Sequence, residues 1–365
     1  MKTVFTAQEI EQIRAILYDW FAGNQRALPW RREYHPYQVW IAEIMGQQTQ
    51  MDRVVEYFAK WMRLFPTIED VARAAELDIL KVWEGLGYYR RARNIHKAAR
   101  EIMKKHGGQL PANYQDLLSL PGIGPYTAAA IASIAYECDI PVMDANVERF
   151  FSRLVDCPLP VKEKQARQQL EQCARDLLPP GQARIFNQAL MEFGALVCRP
   201  GMPHCSRCPL ASLCRAYHAG TVSARPVRKS RTEKIDIVMA CCILRNNDLY
   251  YIQQRKPDDV WGGLWEFPGG RLKEGEQPEQ AARRELFEET EFTASRLTPL
   301  ATVVHHYTKY RVTLHGFLST LADERTVPVL HAAVRYAWVP LANLVDFPFP
   351  AGHRKLRSIY LHEIK

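Results

Sequence analysis

From Thr6 to about Ala219 the apolar positions recur with a helical period, most clearly in EQIRAILYDWF, MDRVVEYFAKWMRLF and RNIHKAAREIMKK. Pro111 and the PGIGP stretch punctuate the segments. No strand pattern competes, so this region is predicted to be all-α. Residues 220–234, GTVSARPVRKSRTEK, are polar and basic, carry a proline and read as a linker. From Ile235 the period shortens. IDIVMACCIL and LYYIQQR read as strands around the turn RNND, one helix follows in PEQAARRELFEET, and ATVVHH, YRVTLHGFL and VRYAWVP are again strand-like. The chain is therefore predicted to be multidomain: an all-α region over 1–219, a basic linker over 220–234 and a smaller α+β domain over 235–365. It contains no repeat and no low-complexity tract.

Composition agrees with this picture. A chain of 365 residues is long for one core, and a hydrophobic fraction of 47% is that of a globular protein. No apolar run approaches the roughly 20 residues that span a bilayer. The start, MKTVFTAQEIEQIRAIL, lacks the sections of a signal peptide and reads as a capped helix, so a cytoplasmic protein is expected. The formal net charge of +8 favours a polyanionic partner, nucleic acid first, with ordinary basic-protein scatter as the alternative.

Three stretches carry candidate chemistry. The first is WIAEIMGQQTQ, which places one carboxylate, Glu43, in an apolar run. On a helix Trp40, Ile41, Ile44 and Met45 share an inward face, whereas Glu43 lies off it with Gly46, Gln47 and Gln50. The second is LPGIGPYTAAAIAS, where Gly122 and Gly124 precede a helix. It reads either as a plain connector or as a helix–hairpin–helix whose free N–H groups hold a phosphate. Beyond it, DANVERF places Asp144 where a helix N-cap is the simpler reading. The third is the cysteine series Cys198, Cys205, Cys208 and Cys214, spaced C-x6-C-x2-C-x5-C. Four thiolates in so short a loop point to a metal site, and zinc and [4Fe–4S] suit them equally. Cys138, Cys157, Cys173, Cys241 and Cys242 read as reduced packing residues.

LPWR, AEIMGQQTQ, GLGYYRRARN, LPGIGPYTAAAI, DANVERF and the four cysteines occur in this order. Together they resemble the MutY adenine DNA glycosylases of the helix–hairpin–helix superfamily, over essentially the whole chain. The resemblance implies a monomeric bacterial-type repair enzyme, cytoplasmic and nucleoid-associated, that removes adenine mispaired with 8-oxoguanine or guanine in duplex DNA. It also implies a [4Fe–4S] cluster on the four cysteines. By motif, Glu43 corresponds to the catalytic acid and Asp144 to the aspartate that stabilises the sugar cation, which displaces the N-cap reading. Tyr126 and Asn146 match residues around that pair. Lyase-type relatives carry a lysine where Tyr126 stands, so a monofunctional glycosylase is implied. Gln48 and Tyr88 correspond to wedges that enter the duplex, and Arg31 and Thr49 line the approach to the adenine pocket. Without the motif, Tyr88 and Tyr89 would read as packing residues. Gly46 stands where relatives have leucine, which leaves room beside the acid. Glu43 is then expected to look into a surface that only bound DNA closes.

The C-terminal stretch GRLKEGEQPEQAARRELFEETEF fits the Nudix pattern G-x5-E-x7-R-E-U-x-E-E from Gly270 through Glu276, Arg284, Glu285, Glu288 and Glu289. Those last three glutamates fall within about one helical turn and are expected to be able to surround Mg²⁺. Glu291 departs from the pattern, which has glycine there. Relatives use this domain to recognise 8-oxoguanine. Because the acids survive, hydrolysis of an oxidised nucleotide stands as the alternative activity. Relatives show Phe-Ser-His in the damage-reading hairpin, whereas this chain has Tyr307, Thr308 and Lys309, with the Thr308 hydroxyl as the candidate contact to the oxidised base.

Overall fold

The computed structural model describes residues 4–227, 234–307, 309–323 and 326–363; Thr308 and residues 228–233 of the predicted linker lie outside the described residues. The chain forms two compact units, Met1–Ala74 with Asn94–Arg231, and Ala75–Arg93 with Thr232–Lys365.

The N-terminal half of the sequence is helical, as its periodicity predicts. Its helices are α1 (Ala7–Asn24), α2 (Pro36–Gly46), α3 (Met51–Leu64), α4 (Ile68–Arg73), α5 (Glu76–Trp83), α6 (Arg90–His106), α7 (Tyr114–Ser119), α8 (Pro125–Ala130), α9 (Ala145–Leu154), α10 (Lys164–Leu177), α11 (Ala183–Leu196) and α12 (Arg215–His218). Helix α1 starts at a capping box. Thr6 Oγ1 accepts from the Glu9 N–H at 3.2 Å, and Glu9 Oε2 accepts from the Thr6 N–H at 2.7 Å. Its Ile13, Leu17 and Phe21, spaced four apart, are buried in a core shared with Phe150, Phe151 and Leu154 of α9 and Phe186, Leu190 and Phe193 of α11.

Helix α2 is buried on more than one stripe. Trp40, Ile41, Ile44 and Met45 point inward as predicted, and Tyr37, Val39 and Ala42 are buried as well. The start of the predicted linker is tied to the helical unit. Val222–Ala224 forms a 3-10 turn, Arg225 pairs with Asp156 at 2.8 Å, and its carbonyl accepts from Arg153 Nε at 3.1 Å.

The C-terminal half holds β1 (Ile235–Asn246), β2 (Leu249–Arg255), β3 (Trp265–Glu266), β4 (Gly269–Arg271), α13 (Pro278–Thr290), β5 (Thr298–Tyr307), β6 (Tyr310–Thr320), β7 (Ala333–Pro340) and α14 (Ala351–Glu363). The sheet runs β3-β2-β1-β6-β5, with β4 paired to β1 and β7 to β2. β1 and β6 are parallel over Ile235–Arg245, and β5 returns antiparallel on β6. One core lies under α13, around Ala282, Leu286 and Phe292; another lies under α14, around Phe349, Leu356 and Tyr360. The sequence predicted one helix here and the described residues contain two α-helices. The buried face of α14 is Gly352, His353, Leu356, Arg357 and Tyr360. Its spacing is helical, but its mixture of glycine, histidine and arginine conceals an apolar period.

Candidate active site

Glu43 projects from the last turn of α2 and is half-buried. The hydroxyl of Tyr126, in the first turn of α8, donates to its Oε2. Burial pushes the Glu43 carboxyl up to about 7. The Tyr126 bond and the Arg31 charge pull it down, while the Asp144 charge pushes it further up. A carboxyl in that range carries a proton on a good fraction of molecules at neutral pH and can donate it. Burial and the adjacent carboxylate also hold the Tyr126 phenol well above its ordinary range.

Asp144 is both an N-cap and a member of this site, so the two readings of the sequence are compatible. Its Oδ1 accepts from the Val147 N–H at 2.7 Å at the start of α9, and its Oδ2 accepts from Asn146 Nδ2 at 2.7 Å. Burial raises the Asp144 carboxyl. The Val147 and Asn146 bonds and the Arg149 charge favour its ionised form. Asn146 is held in turn by Arg149, whose Nη2 donates to Asn146 Oδ1 at 2.8 Å and to the Gly194 carbonyl at 2.7 Å. Gly194 has no side chain because none fits: a Cβ there would stand 2.8 Å from Asn146 Cβ. Arg149 Nε donates to the Cys198 carbonyl at 2.7 Å.

Arg31 closes a 3-10 turn, and its Nη2 donates to Glu192 Oε1 at 2.7 Å. Arg26 grips both oxygens of the same carboxylate, with Nε 2.9 Å from Oε2 and Nη2 2.9 Å from Oε1. After α2 the chain turns sharply. The Thr49 N–H donates to the Gly46 carbonyl at 3.3 Å, Gln47 Nε2 donates to Thr127 Oγ1 at 3.2 Å, and Gln48 is exposed with φ 58°. A Cβ on Gly46 would meet nothing within 4 Å, so that position borders open space. Gly122 has φ 77°, and a Cβ there would fall 2.5 Å from Asn94 Cβ; Gly124 opens α8 as its N-cap. Tyr88 belongs to the other unit, with φ 49°. Gln48 and Tyr88, both predicted as wedges, thus share a backbone conformation that side chains rarely adopt.

The four cysteines line one cavity with Phe150, Arg153 and Leu210. Burial pushes the Cys208 thiol up to about 11 and raises Cys205 and Cys214. Neighbouring thiols of the same set raise these three further. Arg153 Nη1 lies 3.5 Å from Cys198 Sγ. Among the described residues no three His, Cys, Asp or Glu side chains are close enough to hold a single metal ion.

Residues 41–179 match the family described as HhH-GPD superfamily base excision DNA repair protein, and residues 239–358 match the NUDIX domain. The human adenine DNA glycosylase is 31% identical over 411 residues, spanning 96% of this chain and 74% of that protein. The mouse adenine DNA glycosylase is 32% identical over 379 residues, spanning 88% and 73%. The chain belongs to the adenine DNA glycosylase family. Its membership makes it a DNA glycosylase of base excision repair. Among solved structures, a thermostable thymine-DNA glycosylase is 28% identical with a TM-score of 0.53, covering 58% of this chain and 98% of its own. A non-covalent endonuclease III–DNA complex, 24% identical with a TM-score of 0.52, shares the fold over 59% of this chain and 98% of its own.

Within this glycosylase family member three of the four Nudix glutamates gather on one arginine. Arg284 takes Glu276 at 2.7 Å, Glu285 at 2.7 Å and Glu288 at 2.8 Å. Glu289 turns away, its Oε2 accepting from Gln253 Nε2 and the Gly269 N–H at 2.9 Å each. Burial pushes the Glu289 carboxyl up to about 8, with Glu266 adding to the rise. Among the described residues the glutamates expected around Mg²⁺ form an arginine-centred network and no group that could hold a metal ion, and the family relationship favours base excision over nucleotide hydrolysis. Glu291 takes the left-handed position that ends α13, φ 58°, and pairs with His331 at 2.9 Å.

Sequence reasoning missed Arg149, Glu192 and Arg26. Arg149 and Glu192 are charged residues inside apolar helical runs, VERFFSRL and NQALMEFGAL, at 8% and 1% exposure. That signal was available, because buried charge must be paired.

Proposed function

We propose that the protein hydrolyses the N-glycosidic bond of adenine mispaired with 8-oxoguanine or guanine in duplex DNA, without cutting the strand. The observation that carries this reading is the pair of unlike carboxyls. Glu43 is tuned to about 7 and bonded to Tyr126, while Asp144 accepts two hydrogen bonds that favour its anion. Burial raises both carboxyls, Glu43 to about 7, but the bonds to Val147 and Asn146 and the Arg149 charge oppose the rise at Asp144; an acid and an anion divide the labour of glycoside cleavage. The extruded adenine takes a proton from Glu43, which makes it a better leaving group. The positive charge that develops on the sugar faces the Asp144 carboxylate. Glu43, now ionised, accepts a proton from the incoming water, and the Tyr126 hydroxyl steadies it. With no lysine at position 126, no Schiff base forms with the sugar there.

Cys198, Cys205, Cys208 and Cys214 would hold the [4Fe–4S] cluster. The four cysteines line one cavity and, among the described residues, form no group that could hold a single ion, which favours a cluster over zinc. When bound, the cluster cross-links four thiolates and fixes the basic loop that carries Arg199 and Arg207.

The test is single-turnover excision from a duplex with adenine opposite 8-oxoguanine. Glu43→Gln is expected to bind the duplex and leave adenine in place, and borohydride is expected to trap no covalent adduct with the wild type. Full excision by the variant would overturn the assignment of Glu43, and a trapped adduct the monofunctional reading.

A further inference from the structure

The loop between α5 and α6 is fastened at both ends to one residue of the C-terminal domain. Gly85, Gly87 and Tyr88 have φ values of 109°, 72° and 49°, so the loop is tightly wound. At its start Glu84 Oε1 accepts from the backbone N–H of Phe349 at 3.1 Å. At its end the Tyr89 hydroxyl donates to the Phe349 carbonyl at 3.1 Å. Glu84 Oε1 also accepts from Arg357 Nη2 at 3.3 Å. Arg357 Nη1 donates to the carbonyls of Leu344 and Phe347 at 2.9 Å each. The side chains of Glu84 and Arg357 are 11% and 7% exposed, so this is an interior ion pair. Inside the loop, Trp83 Nε1 donates to the Gly87 carbonyl at 3.0 Å, and Arg91 Nη2 to the carbonyls of Leu86 and Gly87 at 3.1 and 3.2 Å. The Tyr88 ring lies 6.0 Å from that of Tyr307, the last residue of β5.

We propose that Glu84 is a positioning residue for mispair recognition: it fastens the Tyr88 loop to Phe349 and Arg357, so that Tyr88 and Tyr307 meet the duplex as one aromatic unit. The inference rests on the reading of Tyr88 as a residue that enters the duplex. As an anion Glu84 gains nothing from phosphate directly, so its contribution runs through geometry. Without it the Phe349 N–H and one arm of a buried arginine lose their acceptor, and of the loop's bonds to Phe349 described above the Tyr89 bond remains. A ring that must slip between base pairs then samples orientations that do not fit.

The experiment uses the full chain and a duplex with 2′-fluoro-adenosine, which resists cleavage, opposite 8-oxoguanine. Wild type, Glu84→Ala, Glu84→Gln, Tyr88→Ala and the Glu84→Ala/Tyr88→Ala double variant are titrated, with thermal melting to establish folding. Should Glu84→Ala not fold, Glu84→Met, which keeps the side-chain volume, takes its place. Tyr88→Ala is expected to weaken binding about tenfold, as for loss of one stacking aromatic. Glu84→Ala is expected to approach that loss, while Glu84→Gln, which keeps the acceptor oxygen, restores most of the affinity. The double variant is expected to bind no worse than Tyr88→Ala, because residues acting through one contact are not additive. Wild-type affinity for Glu84→Ala, or additive losses in the double variant, overturns the inference while leaving Tyr88 in place. Wild-type affinity for Tyr88→Ala instead overturns the reading of Tyr88, and the inference with it.

Discussion

Arg149 Nη2 donates to Asn146 Oδ1 at 2.8 Å, and through Asn146 it fixes one oxygen of Asp144. The carboxylate is thus oriented by a side chain two residues away, and that side chain by one three residues further on, all in the first turns of α9. Arg149→Gln cannot hold Asn146, Gly194 and Cys198 together. It is expected to slow single-turnover excision by about 100-fold, the effect of misplacing a reacting group by about an ångström, with duplex affinity little changed. Asn146→Ala is expected to give a similar loss, and the two together no more than either alone. An unchanged rate in either single variant would show that Asp144 is held by its Val147 bond alone.

On the proposed mechanism Glu43 acts in its protonated form, so excision is expected to fall as pH rises through about 7. Tyr126→Phe removes a hydrogen bond that favours the ionised form, so the falling limb is expected to move to higher pH. Single-turnover rates from pH 5.5 to 9 measure both limbs; a falling limb that stays where it was in the wild type contradicts this account of Tyr126.

The same carboxyl works against the fold. It ionises near 7 when folded and near 4.5 as an ordinary glutamate, so the native state binds the proton more tightly. The stability from this group is complete below about 4.5 and is lost as pH rises through 7, by up to about 3 kcal/mol. Glu43→Gln is therefore expected to be the more stable protein at pH 8 and to lose that advantage at pH 4, as read by denaturant unfolding. Equal stability at both pH values would mean that the carboxyl is not held in the protonated range.

Gly46→Leu adds a side chain whose Cβ would meet nothing within 4 Å. Folding is expected to be preserved, with a gain of about 0.5 kcal/mol from helix propensity. Excision of purine analogues bulkier than adenine is expected to fall relative to adenine. An unchanged ratio would mean that the open space at position 46 is not part of the base pocket.

Much of this was legible in the sequence because local chemistry decided it. The helical period of EQIRAILYDWF and the box formed by Thr6 and Glu9 specify α1 without any distant contact. β1 and β2 announce themselves around their turn. What stayed hidden depends on partners far along the chain. Glu84 looks like an ordinary charge at a helix end until Phe349 and Arg357, more than 260 residues away, are seen to bond it. Nothing in ELDILKVWEGLGYY says that this segment packs within the C-terminal unit. The Nudix glutamates show the opposite limit. Their spacing is correct for a metal site, but spacing does not record that Arg284 occupies them.

Asp144 opens a helix with one oxygen and accepts from Asn146 with the other, and on the proposed mechanism the same carboxylate faces the sugar cation. Its removal therefore damages architecture and chemistry at once, and a truncation such as Asp144→Ala would confound the two. Replacing it with asparagine keeps an oxygen for the Val147 N–H and discards the charge. The route from active enzyme to folded, silent DNA binder is then one oxygen exchanged for an amide nitrogen. A variant of that kind would hold its substrate in place and shield the mispair from other repair.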